Sequence, residues 1–323
     1  MRVFVAGASG ALGARLVPQL IDAGHEVIGT HNSAKGADVL RTLGAKPVQL
    51  DVLDARAVRD VVVATEPEAL IHEATSLSDA KYGRSLDKAL ARTNELRTKG
   101  TDALVAAARE AGVSKFVAQS FAPYRYERRG GPIKTEDDLL EQDPPANTEE
   151  TFAAMNHLEQ AVTGFGGIAL RYGAFYGAAN DGWAYLVRKG HFPIVGDGGG
   201  IIPYVHLEDA ASATVLALEH DGPEIYNIVD DDPAPMREWL PFLAEVLGGK
   251  PPRHLPKPVA RLVAGEANVI LATESRGASN AKAKRELGWT LRYPSWRDGF
   301  PAVYSAIDQT GARKPQPTVR TTH

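Results

Sequence analysis

Gly7-Ala8-Ser9-Gly10-Ala11-Leu12-Gly13 is the stretch whose residue types and spacing most clearly carry chemistry. It sits between an apolar run, Val3-Phe4-Val5-Ala6, and an amphipathic stretch, which predicts a strand–turn–helix. Gly7 permits the tight turn, Gly10 lets the backbone approach a pyrophosphate, and Gly13 lets the helix pack close to the strand. The helix N-terminus adds free N–H donors and a positive dipole end. Ser9, Ala11 and Leu12 therefore join Gly7, Gly10 and Gly13 as expected contacts of a dinucleotide. The next strand ends in Gly29-Thr30-His31-Asn32-Ser33-Ala34-Lys35, with no Asp or Glu to hold a ribose 2′-hydroxyl. His31, Asn32, Ser33 and Lys35 instead offer donors to a 2′-phosphate, so NADP(H) is expected over NAD(H).

These residues need a scaffold that brings successive strand ends to one edge. Short apolar runs predict strands at 2–6, 26–30, 46–50, 69–73, 115–118 and 167–171. Amphipathic runs between them predict helices near 11–23, 34–43, 55–65, 84–111 and 148–163. Asn147 and Glu150 have capping-box spacing at the start of the last helix. This rhythm predicts an α/β protein: a doubly wound parallel Rossmann sheet with a smaller C-terminal substrate-binding subdomain. The dinucleotide-binding part is expected over 1–171, completed by about 205–230, where a helix at 207–219 and a strand at Glu224 to Val229 are read. Residues 172–204 and 231–308, rich in Gly and Pro turns, are assigned to the substrate-binding part, and 309–323 to a flexible tail.

Composition narrows the function classes. The 323 residues carry 36 Lys+Arg against 40 Asp+Glu, a net charge of −4, which gives no electrostatic footprint for nucleic acid. Cys is absent, which removes disulfides and thiolate chemistry and fits a reducing compartment. The nine His residues show no HxxxH or HxH spacing, so no metal site is expected. No signal-peptide core or membrane span is read, and a cytoplasmic protein with a small-molecule substrate is expected.

With the glycine loop in place, the chain resembles the short-chain dehydrogenase/reductase superfamily in its extended, epimerase/dehydratase-like branch. Asp51 in Leu50-Asp51-Val52 resembles the acid that holds the adenine amino group, with Val52 beside it. Ile71-His72-Glu73-Ala74 resembles the HLAA segment that ends strand four, which implies that Glu73, Ala74 and Thr75 line the cofactor. Asn94 and the stretch from Gly100-Thr101 to Gly112-Val113 resemble the helix before strand five, which implies that Asn94 lies at the cofactor. Lys115-Phe116-Val117-Ala118-Gln119-Ser120 resembles the strand leading to the catalytic Ser, so Gln119 and Ser120 are expected at the cofactor. Arg171 ends strand six at a position that, by the resemblance, either anchors structure or orients the cofactor's nicotinamide side, and Tyr172 after it is expected at the cofactor. Tyr204-Val205-His206-Leu207-Glu208-Asp209-Ala210 and Tyr226-Asn227 resemble later segments of the branch. Relatives dimerise through the two helices around 84–111 and 148–163, which implies a homodimer.

One departure shapes the functional reading. The branch uses a Tyr-x-x-x-Lys pair on the helix before strand six, where the ammonium favours the phenolate and the Tyr moves a proton. Alignment on Glu159 puts Thr151 and Met155 at those positions. Tyr185 and Lys189 have the right spacing but follow strand six and are read as coincidence. Replacement candidates lie in the loop after strand five: Ser120 to hold a substrate carbonyl, and Tyr124 and Lys134 as proton donors. A solvated loop is the plainer reading of the Arg125-to-Arg129 run. The expected activity is an NAD(P)(H)-dependent oxidoreductase that moves hydride to or from a small carbonyl or alicyclic substrate with a non-standard proton donor. The alternatives are a sugar-nucleotide-type epimerase or dehydratase, and a catalytically silent NADP(H) sensor.

Overall fold

A computed structural model describes residues 1–77, 80, 83–178 and 182–305; the tail expected at 309–323 lies outside them. Seven strands form the central sheet: β1 (Arg2–Ala6), β2 (Glu26–His31), β3 (Lys46–Gln49), β4 (Ala69–His72), β5 (Lys115–Phe121), β6 (Ile168–Tyr172) and β7 (Glu224–Ile228). All pair in parallel, in the order β7-β6-β5-β4-β1-β2-β3. The chain reverses its direction of winding between β1 and β4, and that switch point at the carboxyl edge is where open α/β sheets bind ligands.

Period-two alternation along each strand builds two cores. Val3, Val5 and Ile71 face α1 (Gly13–Asp22) and α9 (Leu207–Glu219) together with Leu16, Leu20 and Ala213. Phe4, Leu70, Phe116 and Ala118 face the opposite layer, α3 (Ala55–Thr65), α6 (Thr101–Glu110) and α7 (Glu149–Phe165), which contribute Val58, Leu104 and Leu158. A third cluster, built on Trp239, Trp296, Phe300, Tyr176 and Tyr204, joins α10 (Met236–Val246) to α14 (Trp296–Tyr304). Three short parallel pairs tie the later chain back: 133–134 with 277–278, 174–176 with 204–206, and 194–195 with 254–255.

Two local expectations are corrected. The helix expected over 84–111 is broken into α4 (Leu86–Ala89), α5 (Ala91–Glu95), a π turn (Leu96–Gly100) and α6. In the π turn the Leu96 carbonyl accepts from the Thr101 N–H and also meets His72 Nε2 at 3.3 Å. The capping box of Asn147 and Glu150 is not formed. Asn147 sits at φ +68 with its carbonyl taking the Leu86 and Asp87 N–H groups. The start of α7 is capped instead by the carboxylate of Asp87, which accepts from the N–H of Glu150 (3.3 Å) and Thr151 (2.8 Å).

Candidate active site

The glycine loop leaves β1 and enters α1 at the switch point. Gly7 has φ +89, and a Cβ there would lie 2.6–2.7 Å from the backbone of Glu73 and Ala74, so only glycine fits. Its N–H donates to Thr30 Oγ1 (2.9 Å) and its carbonyl accepts from Gly10 N (3.0 Å). A Cβ on Gly13 would lie 2.2 Å from the Ala8 carbonyl oxygen, whereas one on Gly10 would meet only the Gly7 oxygen, at 3.2 Å. Gly10 and Ala11 are exposed, Leu12 is buried, and no side chain caps α1. The loop thus presents open backbone donors at a helix N-terminus, which suits a nicotinamide dinucleotide's diphosphate.

Beside it, β2 ends at His31 and α2 (Ala34–Thr42) begins. Ser33 caps α2 by accepting from Gly36 N (3.2 Å), and a Cβ on Gly36 would touch both His31 and Ser9. Asn32, Ser33 and Lys35 are exposed, while His31 is buried with Nδ1 unpartnered. The start of α2 thus lies beside Ser9 of the glycine loop. Asp51 is half exposed; it accepts from Leu53 N (3.1 Å) and pairs with Arg92 (3.0 Å). Val52 is buried against Gly100. Ala74 N donates to His72 Nδ1 (3.3 Å), and Thr75 is half-buried beside it.

Glu73 sends its backbone to the glycine loop and its side chain into the core. Oε1 accepts from the Tyr172 hydroxyl (3.2 Å), which also meets Thr214 Oγ1 (2.6 Å), and Oε2 is buried with no partner. Burial raises the carboxyl to about 8, against a small opposing effect of the Tyr172 hydrogen bond. An acid whose folded value is raised binds its proton more tightly when folded, so stability falls as pH climbs from the ordinary value toward 8. Buried His72 and His206, each lowered to about 4 by burial, act in the opposite sense only below their ordinary 6.5. Between pH 6.5 and 8, Glu73→Gln should therefore gain on wild type by about 1.4 kcal/mol per pH unit. Urea midpoints at several pH values would show it, and a pH-independent difference would refute it.

Around β5, polar side chains are drawn together across the fold. Ser120 lies inside the strand opposite Arg171, next to buried Gln119. Its hydroxyl donates to Glu159 Oε1 (2.5 Å). Glu159 also accepts from Arg125 Nη2 (3.0 Å) and from Arg171 Nε (3.0 Å) and Nη2 (2.7 Å). Burial alone would raise this carboxyl, but the two guanidinium charges and the Arg171 and Ser120 hydrogen bonds outweigh it and hold it at about 2. Arg171 Nη1 reaches on to the Tyr126 hydroxyl (3.0 Å), which donates to Asn227 Oδ1 (2.6 Å). Arg125 is fully buried, which corrects its reading as part of a solvated run. Glu159 had served only as an alignment marker in the sequence, and nothing local signalled that it joins Ser120, Arg125 and Arg171.

Thr151 and Met155 lie buried on α7. The Thr151 hydroxyl donates to Asp87 Oδ1 (2.8 Å) and accepts from Asn94 Nδ2 (3.0 Å), which leaves Asn94 Oδ1 buried and unpartnered. Tyr124 holds φ +49, with its ring edge-on to Phe121 (5.5 Å) and near Phe152 (6.2 Å). Lys134 is buried and donates to the Arg129 carbonyl (2.8 Å) and Asp138 (3.2 Å), so its ammonium closes the 129–138 loop. Tyr185 and Lys189 stack as an exposed surface pair, and His157 pairs with Asp102 (2.7 Å) on the flank of α7. No helix among the described residues is long and apolar enough to cross a membrane.

The sequence matches the NAD dependent epimerase/dehydratase family over residues 3–229. The chain belongs to that family. Among curated proteins it is 39% identical to the 3-diazoavenalumate denitrifying reductase of a Streptomyces species, over 93% of this chain and 99% of that one. Its fold is shared with UDP-glucose 4-epimerase of Thermotoga maritima bound to UDP-glucose (TM-score 0.75, 22% identity, 94% and 97% covered). It is shared equally with a human epimerase family protein bound to NADPH (TM-score 0.73, 19% identity, 94% and 99% covered). The chain is thus an NAD(P)-dependent enzyme of the oxidoreductase type, and the silent-sensor alternative is set aside.

Proposed function

We propose that the protein is an NADP(H)-dependent reductase whose substrate accepts hydride without taking a proton from the enzyme, with a diazo-bearing arene as the leading substrate class. The observation that carries this is Thr151: a short hydroxyl stands where the family's resemblance puts Tyr, already committed to Asp87 and Asn94, with Met155 in place of Lys. A ketone reduced to an alkoxide needs a proton donor. An arenediazonium does not. A C–H bond forms at the ring carbon as the C–N bond breaks, the C–N electron pair leaves with dinitrogen, and the positive charge is cancelled by the hydride. The bound cofactor supplies that hydride. The name of the 39% identical relative, a denitrifying reductase of a diazo compound, supports the same chemistry.

On this reading the glycine loop and the first turn of α2 hold the cofactor, with Asn32, Ser33 and Lys35 around the 2′-phosphate. Tyr124 faces the substrate, while Ser120 and Lys134 hold the loop that carries it. Turnover of 2-hydroxybenzenediazonium with NADPH deuterated at the transferred position tests the proposal. It should release one dinitrogen per NADPH and place one deuterium on the carbon that lost it. The proposal fails if dinitrogen is not released while simple ketones are reduced. Titration with both cofactors tests the NADP(H) assignment, and NADH binding at least tenfold tighter than NADPH would overturn it.

A further inference from the structure

A cleft opens at the carboxyl edge of β5, between α4, α7 and α12 (Glu266–Thr273). The space between its walls is about 620 Å³, open solvent included. Its walls are apolar and aromatic: Leu86, Tyr124, Tyr126, Phe152, Ile270 and Leu271. The only charged residues lining it, among those described, are Arg128 and Glu141, which bond to each other at 2.8 Å. Arg128 is further held by Glu274 at 3.4 Å. That end of the cavity is therefore neutral to acidic, and it offers a diphosphate no uncommitted cation.

The aromatic wall is rigid. Tyr126 cannot turn, because its hydroxyl is fixed by Asn227 and Arg171, and Arg171 is fixed by Glu159. Tyr124 holds a left-handed backbone that costs an aromatic residue about 1–3 kcal/mol, and the strain aims a half-buried ring at the cavity. Phe152, next to Thr151 on α7, lies 6.2 Å from that ring with the two planes only 30° apart. The two rings pack on each other and, backed by aliphatic side chains, present one aromatic wall to the cleft, against which a flat π-system can lie.

We propose that this aromatic wall selects the substrate by planarity: the cleft takes one flat aromatic skeleton with a polar substituent at the Arg128–Glu141 end, and disfavours saturated rings and nucleotide-linked sugars. Phe152 and Tyr124 are the specificity-determining residues. The proposal deepens the reductase reading and rests on it for the identity of the site.

Calorimetry on the enzyme saturated with NADP⁺ tests this selection without turnover. The probes are 2-naphthol and trans-2-decalol, bicyclic alcohols of similar size, one flat and one saturated, with UDP-glucose as competitor. 2-Naphthol should bind at least about tenfold more tightly than decalol, as contact of its flat face with the aromatic wall implies. Phe152→Leu or Tyr124→Leu should bring the two within about threefold while NADP⁺ affinity is unchanged, and Tyr124→Phe should keep the preference. Equal binding of the two alcohols to wild type overturns the proposal, as does displacement of 2-naphthol by UDP-glucose. Failure of the reductase reading would show separately, as absent dinitrogen release from an enzyme that still prefers the flat ligand.

Discussion

Glu159→Gln is expected to lower the stability of the folded protein by about 3–5 kcal/mol, the usual consequence of removing one partner from a buried ion pair. Glu159 is 4% exposed, Arg125 0% and Arg171 3%, so the two guanidinium groups left behind could not reach water. Glutamine keeps the shape and one acceptor but loses the charge that offsets both cations. A loss of this size is a large fraction of the roughly 5–15 kcal/mol that holds a typical protein folded. The pH dependence has a definite sign. A carboxyl held at about 2 stabilises the fold fully above its ordinary value of 4.5, and that contribution disappears as pH falls from there toward 2. Urea unfolding at pH 7 measures the effect, and a loss under about 1 kcal/mol would refute the assignment. Arg125→Met in the Glu159→Gln background should recover part of the loss, because one stranded cation is gone. The cluster also bears on function, since Arg171 ties Glu159 to the Tyr126 ring that walls the cavity.

What could be read from the sequence was whatever is decided by near neighbours. Gly7, Gly10 and Gly13 declare a turn because their roles depend on a few residues of backbone, and the alternation of apolar runs declares the parallel sheet because its central strands bury both faces. The Glu159 cluster could not be read that way. Arg125 looks like one of several arginines in a polar loop until the fold brings in a carboxylate 34 residues away. Asp87 is likewise an unremarkable helix residue until it caps α7 from 64 positions upstream, displacing the local box predicted from Asn147 and Glu150. Ser120 illustrates the limit of resemblance: its position in the strand was legible, while the hydrogen bond that occupies its hydroxyl depends on a side chain of another element. In the same way the sequence pointed to Thr151 and Met155 but gave no sign of the cavity beside them, whose lining is drawn from four separated stretches.

Gly7→Ala and Gly10→Ala should separate what the loop does for the fold from what it does for the cofactor. At Gly7 the methyl would be driven within 2.6–2.7 Å of the Glu73 and Ala74 backbone, from a φ of +89 that alanine disfavours. Neither neighbour can yield, because Glu73 N is bonded to the Ala6 carbonyl (2.8 Å) and β4 is paired on both sides. The cost should be roughly 3 kcal/mol or more in stability, with cofactor affinity falling alongside it. At Gly10 the φ is not in the left-handed region, and the methyl meets only the Gly7 carbonyl oxygen at 3.2 Å, on the exposed side. Stability should then stay within about 1 kcal/mol of wild type. A diphosphate lying against that backbone would be pushed away by the methyl, and NADPH affinity should drop by at least about tenfold. Thermal unfolding and NADPH titration on the two variants give four numbers, and the decisive one is Gly10→Ala affinity. If it equals that of wild type, no phosphate approaches the backbone at Gly10, and the open donors at the start of α1 serve some other ligand.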